Sequence, residues 1–161
     1  MRTRCSHDGR RAIVTTREIM DRFRERQYFF STFGGNPVAT AAGLAVLEVL
    51  AREDLPRKAA ETGDTVLARL RELQKSYACI GRVSGRGLFF GLDIVRDRET
   101  KAPDPATTAR LQTRMRELGV LIGTEGVHDN VLKIRPPMPF GIPHGELMLQ
   151  ALAQALAEYG Q

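Results

Sequence analysis

Residues 79–95, CIGRVSGRGLFFGLDIV, decide the architecture. Two apolar runs, 79–84 and 88–95, lie on either side of Gly85 and Gly87, a pattern that predicts paired strands around a glycine turn. Downstream, Asp104-Pro105 predicts a helix with Leu111, Met115 and Leu118 inward and Gly119 closing it. Residues 120–122 (VLI) and 131–135 (VLKIR) predict two more strands, the second stopped by Pro136-Pro137. A last helix starts near Pro143, with Leu147, Met148, Ala151, Leu152, Ala155, Leu156 and Tyr159 on one face. The result is a compact ββαββα unit, helices over one face of a small sheet.

Upstream of this unit, AIVTT (12–16) predicts a short buried strand and REIMDRF (17–23) a turn or two of helix. QYFFSTFGG (27–35) reads as a loop. Asn36-Pro37 is a strong helix start, because asparagine caps and proline suits the first helical position. Asp54 and Pro56 restart a second helix, with Val66, Leu70, Leu73 and Tyr77 as its apolar face. Gly63 costs that helix about 1 kcal/mol relative to alanine, so close packing is the expected reason for it.

Composition narrows the function. With 161 residues, 42% hydrophobic and 27% charged, the chain reads as globular. No apolar run approaches the roughly 20 residues that span a bilayer, and the charged start MRTRCSHDGR has no signal-like apolar stretch. The net charge of +5 is uneven: residues 1–26 carry eight arginines against four acids, and the other 135 residues carry 16 bases against 15 acids. The body has no basic stripe with interleaved aromatics, which argues against a nucleic-acid partner. Cys5 and Cys79 form no CxxC and have no metal-spaced histidine, so no metal site is expected, and reduced thiols in a cytoplasmic protein are.

Three features carry candidate chemistry. STFGGNP (31–37) sets the hydroxyls of Ser31 and Thr32 and two glycines before a helix N-terminus, which suits a phosphate but equally an ordinary capped turn. Arg135 ends a strand on the face shared with Val131 and Lys133, opposite Leu132 and Ile134. Its fork suits a carboxylate, and a plain surface arginine is the alternative. GRGLFFG (85–91) is not a dinucleotide fingerprint, since its third glycine is one position late and a strand comes after it; its glycines are expected in turns and bulges. His7, His128 and His144 are expected to be solvated or capping, and Asp93 to be structural.

In this order, VTTREI (14–19), STFGGNPVATAAGLAVLEVL (31–50), the glycine-rich 81–95 stretch, ELGVLIGTEG and NVLKIRPP resemble the C-terminal part of class III aminotransferases. These are pyridoxal-phosphate enzymes of fold type I, and the nearest flavour is the alanine–glyoxylate transaminase-like and omega-amino-acid group. The resemblance covers about residues 12–160. It implies an α/β fold of which this chain is an α+β portion. Residues 1–27 would be an unplaced start and large-domain remnant, 28–77 the cofactor-phosphate loop and two linking helices, and 78–161 the small domain.

The resemblance further implies that Thr32, with Ser31 beside it, binds the phosphate of pyridoxal 5'-phosphate across a homodimer. It implies that Arg135 binds the carboxylate of an amino donor or keto acid. It assigns no catalytic residue here, because the family's Schiff-base lysine lies upstream of the STFGGNP loop and no lysine precedes Lys58. The chain is therefore expected to be a C-terminal fragment of a transaminase, inactive alone. Two alternatives stand beside this: a non-catalytic dimerisation or regulatory module, and a lyase, aminomutase or decarboxylase of the same fold.

Overall fold

The computed structural model describes residues 15–30 and 36–160. The chain divides into two compact units, Met1–Glu53 and Asp54–Gln161.

In the first unit, α1 (Arg17–Arg26) follows Thr16, and exposed ion pairs such as Arg22–Glu18 at 3.1 Å line it. The strand expected at 12–16 is not found in its described part. Residues 12–14 lie outside the described residues, and Thr16 is the residue that flanks α1 in extended backbone. A β-branched pair before a helix serves as its flank rather than as a ladder. Then α2 (Pro37–Arg52) begins as expected: Asn36 Oδ1 accepts from the Ala39 N–H at 3.1 Å and proline occupies the first turn. This helix buries none of its residues; Val38 and Leu47 are 80% and 63% exposed.

The second unit opens with α3 (Leu55–Ser76). Asp54 sits in the left-handed region and ion-pairs with Arg57 at 2.5 Å instead of capping. Leu55, Ala59, Thr62, Val66 and Leu70 recur at helical spacing and are buried, while Leu73 and Tyr77 pack on the core edge. This helix packs on the sheet and on the last helix of the chain.

The sheet is antiparallel throughout. β1 (Ile80–Arg86), β2 (Phe89–Asp97), β5 (Val131–Ile134) and β4 (Gly123–Glu125) lie side by side in that order, and the short β3 (Ala102–Pro103) pairs with the outer end of β2. Alternation sorts its faces. Phe90, Leu92 and Ile94 of β2 and Leu132 and Ile134 of β5 point into the core, where complete burial of each contributes about 1.5–3 kcal/mol. The helices α3, α4 (Pro105–Glu117) and α5 (Ile142–Tyr159) cover that face. β1 and β2 join through a two-residue turn, Gly87-Leu88, with Gly87 at φ 54°. Gly63 of α3 lies against this turn, and a Cβ there would come within 2.7 Å of the Gly87 Cα. Close packing is indeed why the glycine is there.

Two expectations need correction. Residues 120–122 are not a strand. Their backbone is tied to α4: the Val120 N–H donates to Met115 O at 2.8 Å, and Ile122 O accepts from Gln112 Nε2 at 3.1 Å, so pairing starts only at Gly123. On α5, Leu147 is not inward but 63% exposed, and Tyr159, in its last turn, is 41% exposed. Five positions before the fully buried Leu152, Leu147 falls on the far side of a 3.6-residue turn.

The start of α4 gives one test. Asp104 Oδ1 accepts from the Thr107 N–H at 3.0 Å, and the Thr107 hydroxyl donates to Oδ2 at 2.8 Å. Burial pushes the Asp104 carboxyl up, but these two bonds win and hold it below its ordinary 3.8. Asp104→Ala is expected to cost about 1 kcal/mol at neutral pH. Because the folded value is depressed, the contribution is complete above 3.8 and is lost as pH falls through the lower folded value. Urea midpoints of variant and parent should therefore converge in acid, and a gap that stayed constant down to pH 2 would contradict this origin.

Candidate functional site

Arg135 stands one residue past β5, and Pro136-Pro137 hold the backbone immediately after it. Its position continues the Val131 and Lys133 side of β5, the sheet face opposite α3, α4 and α5, and it is exposed. The guanidinium Cζ lies 5.9 Å from the centroid of the Phe89 ring, within cation–π range, and Phe89 itself is 53% exposed. Among the described residues no carboxylate pairs with Arg135. Its neighbours on that face are neutralised: Arg82 Nε donates to Asp93 Oδ2 at 3.1 Å, and the Lys133 ammonium pairs with Glu125. Arg135 therefore presents an uncommitted planar fork, steadied from one side by an aromatic ring, and that arrangement suits an incoming carboxylate or phosphate.

The other expected site residues fall differently. Ser31 and Thr32 lie outside the described residues. The N-terminus of α2 comes a few positions later in the chain, is capped by Asn36 and has no acidic residue in its first turn. Asp93 holds an ion pair, as its structural reading expects. His144 accepts from the Gly141 N–H through Nδ1 at 3.2 Å and so caps α5, and His128 is exposed. Lys75 pairs with Glu72 and Lys133 with Glu125, while Lys58 on α3 and Lys101 in the turn after β2 are exposed.

A cavity of about 260 Å³ lies elsewhere, lined by residues of α4 with Tyr159 of α5. The charge beside it is already matched. Arg114 donates to both oxygens of Glu158, at 2.8 and 2.9 Å, and to Glu117 at 3.1 Å, which holds the Glu158 carboxyl below its usual range. That bidentate pair clamps α4 to α5, and it shares no residue with the surroundings of Arg135.

Phe89 is the residue that sequence reasoning missed. Phe90 pairs with Ile134, which sets Phe89 beside Arg135, but this needs the β2–β5 register and not the spacing within either strand.

The profile of the family described as aminotransferase class-III matches residues 10–156. An alanine–glyoxylate aminotransferase 2 homologue of Arabidopsis thaliana is 42% identical over 147 residues, which cover 91% of this chain and 31% of that protein. Among solved structures, an Arthrobacter phospholyase in complex with phosphoethanolamine superposes with a TM-score of 0.82 at 48% identity, over 89% of this chain and 34% of that one. An amine transaminase from an uncultivated Pseudomonas species, in its pyridoxal-phosphate-bound form, gives a TM-score of 0.77 at 36% identity, over 86% of this chain and 31% of that one. The chain thus spans about a third of the length of these relatives. The fold is that of the C-terminal part of fold type I pyridoxal-phosphate enzymes, and the family's cofactor is pyridoxal phosphate.

Proposed function

Since the chain belongs to the class III aminotransferase family, we propose that it contributes the anion-binding part of a pyridoxal-phosphate-dependent site that moves an amino group from an amino donor to a keto acid. The observation that carries this reading is Arg135: a guanidinium without a carboxylate partner among the described residues, stacked on Phe89 and fixed by the two prolines after it. In this reading Arg135 grips the substrate's anionic end and so orients the amine. Thr32, with Ser31 beside it, holds the cofactor phosphate at the N-terminus of α2, reaching across a homodimer as the family resemblance implies. Pyridoxal phosphate, when bound, supplies the electron sink for bond breaking at the amine-bearing carbon. Neither Thr32 nor Arg135 provides an amine nucleophile, and no lysine precedes Lys58, so the 161 residues by themselves are proposed to be inactive. A cytoplasmic setting belongs to the same reading.

A lyase reading is favoured by one observation, the 48% identity to the Arthrobacter phospholyase. Product analysis separates the two. The protein as its gene expresses it would be given pyridoxal phosphate, an anionic amine and a keto acid. The aminated acceptor is the expected product. Inorganic phosphate released from an amino phosphomonoester, with the keto acid untouched, would replace transfer by elimination. Neither product from a broad panel would overturn both.

A further inference from the structure

The sheet face opposite α3, α4 and α5 carries a second arginine that has no carboxylate partner among the described residues. Arg86 is the last residue of β1 and pairs directly with Phe89, the first of β2. Phe90 pairs with Ile134, so the next position along, Phe89, stands beside Arg135. Arg86, Phe89 and Arg135 therefore form one row across three strands, on the side opposite α3, α4 and α5, and all three are exposed. Adjacent strands lie about 4.8 Å apart, which puts the two arginine backbones roughly 10 Å from each other across the ring. That span is within the reach of two extended arginine side chains, one of which, Arg135, already lies over the Phe89 ring.

Charge is what sets this row apart. The other bases on the face, Arg82 and Lys133, are paired with Asp93 and Glu125. No carboxylate among the described residues pairs with Arg86 or Arg135, so two positive charges stand unmatched on either side of an aromatic floor. Both are held by stiff backbone. Arg86 enters the Gly87-Leu88 turn that packs on Gly63, and Arg135 precedes two prolines.

We propose that Arg86 and Arg135 together grip a single dianionic group of the substrate, a phosphomonoester in class, and that Arg86 sets the preference for it over a monocarboxylate. This rests on the reading of Arg135 as the anion-binding residue. One guanidinium fork saturates the two oxygens and single charge of a carboxylate. A phosphomonoester, with a charge near −2 and three acceptor oxygens, matches two forks.

The test is an NMR titration of the ¹⁵N-labelled protein with methyl phosphate and with acetate, read at the arginine Nε–H signals. Methyl phosphate is expected to shift both Arg86 and Arg135 and to bind about tenfold more tightly than acetate, as a second charge-assisted contact would give. Arg86→Gln should remove that advantage and leave acetate binding unchanged, while Arg82→Gln should change neither. Arg86→Lys, which keeps the charge but loses the fork, should fall between. An unchanged phosphate-to-acetate ratio in Arg86→Gln, or tighter binding of malonate than of methyl phosphate, overturns the proposal. If Arg135→Gln still weakens acetate in that case, only the role of Arg86 falls. If Arg135→Gln has no effect either, the reading of Arg135 falls with it.

Discussion

Replacing Gly63 with alanine should destabilise the Asp54–Gln161 unit by about 3 kcal/mol, the upper end of what overpacking costs. Helix propensity alone points the other way, since alanine in place of glycine inside a helix gains about 1 kcal/mol. The steric effect wins because the new Cβ meets backbone and not a side chain that can turn away. It would press on the Gly87 carbonyl and come within 2.7 Å of the Gly87 Cα. Gly87 cannot retreat easily: it holds a left-handed φ of 54°, and the residues that flank its turn, Arg86 and Phe89, are paired. Urea unfolding reads the difference as a lowered midpoint. A midpoint raised by the propensity gain would show that α3 and the hairpin are not in contact as described. The same contact positions Arg86 and Phe89, so the variant should also weaken anion binding.

The second large effect concerns chemistry. In an active enzyme that contains this chain together with the cofactor lysine, Arg135→Gln is expected to lower kcat/KM for amines that carry an anionic group by about 100-fold, close to 2.7 kcal/mol of lost charge-assisted hydrogen bonding. Amines without an anionic group should be nearly unaffected, because the lost contact is to the anion and not to the reacting carbon. Arg135→Lys should recover only part of the loss, since an ammonium cannot reproduce the planar fork. Arg135 is exposed and lies outside the core cluster, so its replacement should leave the urea midpoint in place, and a fall in activity would not report unfolding. Equal losses for charged and uncharged amines would remove Arg135 from the substrate's anionic end.

Much of the fold is legible in local patterns, because those patterns act through short-range physics. Asn36-Pro37 and Asp104-Pro105 start helices where caps and proline require. Leu132 and Ile134 face the core because a strand alternates. Patterns failed where a backbone group found a partner outside its own segment. Val120 and Ile122 are apolar enough for a strand, but α4 takes their hydrogen bonds. Thr16 belongs to a β-branched run, yet it flanks α1. Arg135 could be found from one strand and its terminating prolines. Phe89 and Arg86 could not, since their nearness to Arg135 depends on how three strands are registered. Ser31 and Thr32 could be singled out from two hydroxyls and two glycines before a capped helix start, but only the family resemblance chooses a cofactor phosphate over an ordinary turn there.

A crystal structure of the protein as its gene expresses it, with pyridoxal phosphate and an anionic amine bound, tests the central claim most directly. The account predicts the substrate's anion within hydrogen-bond distance of the Arg135 guanidinium and the cofactor phosphate at Thr32. An Arg135 paired with a carboxylate of the protein, and a substrate whose anion is held elsewhere, would contradict it.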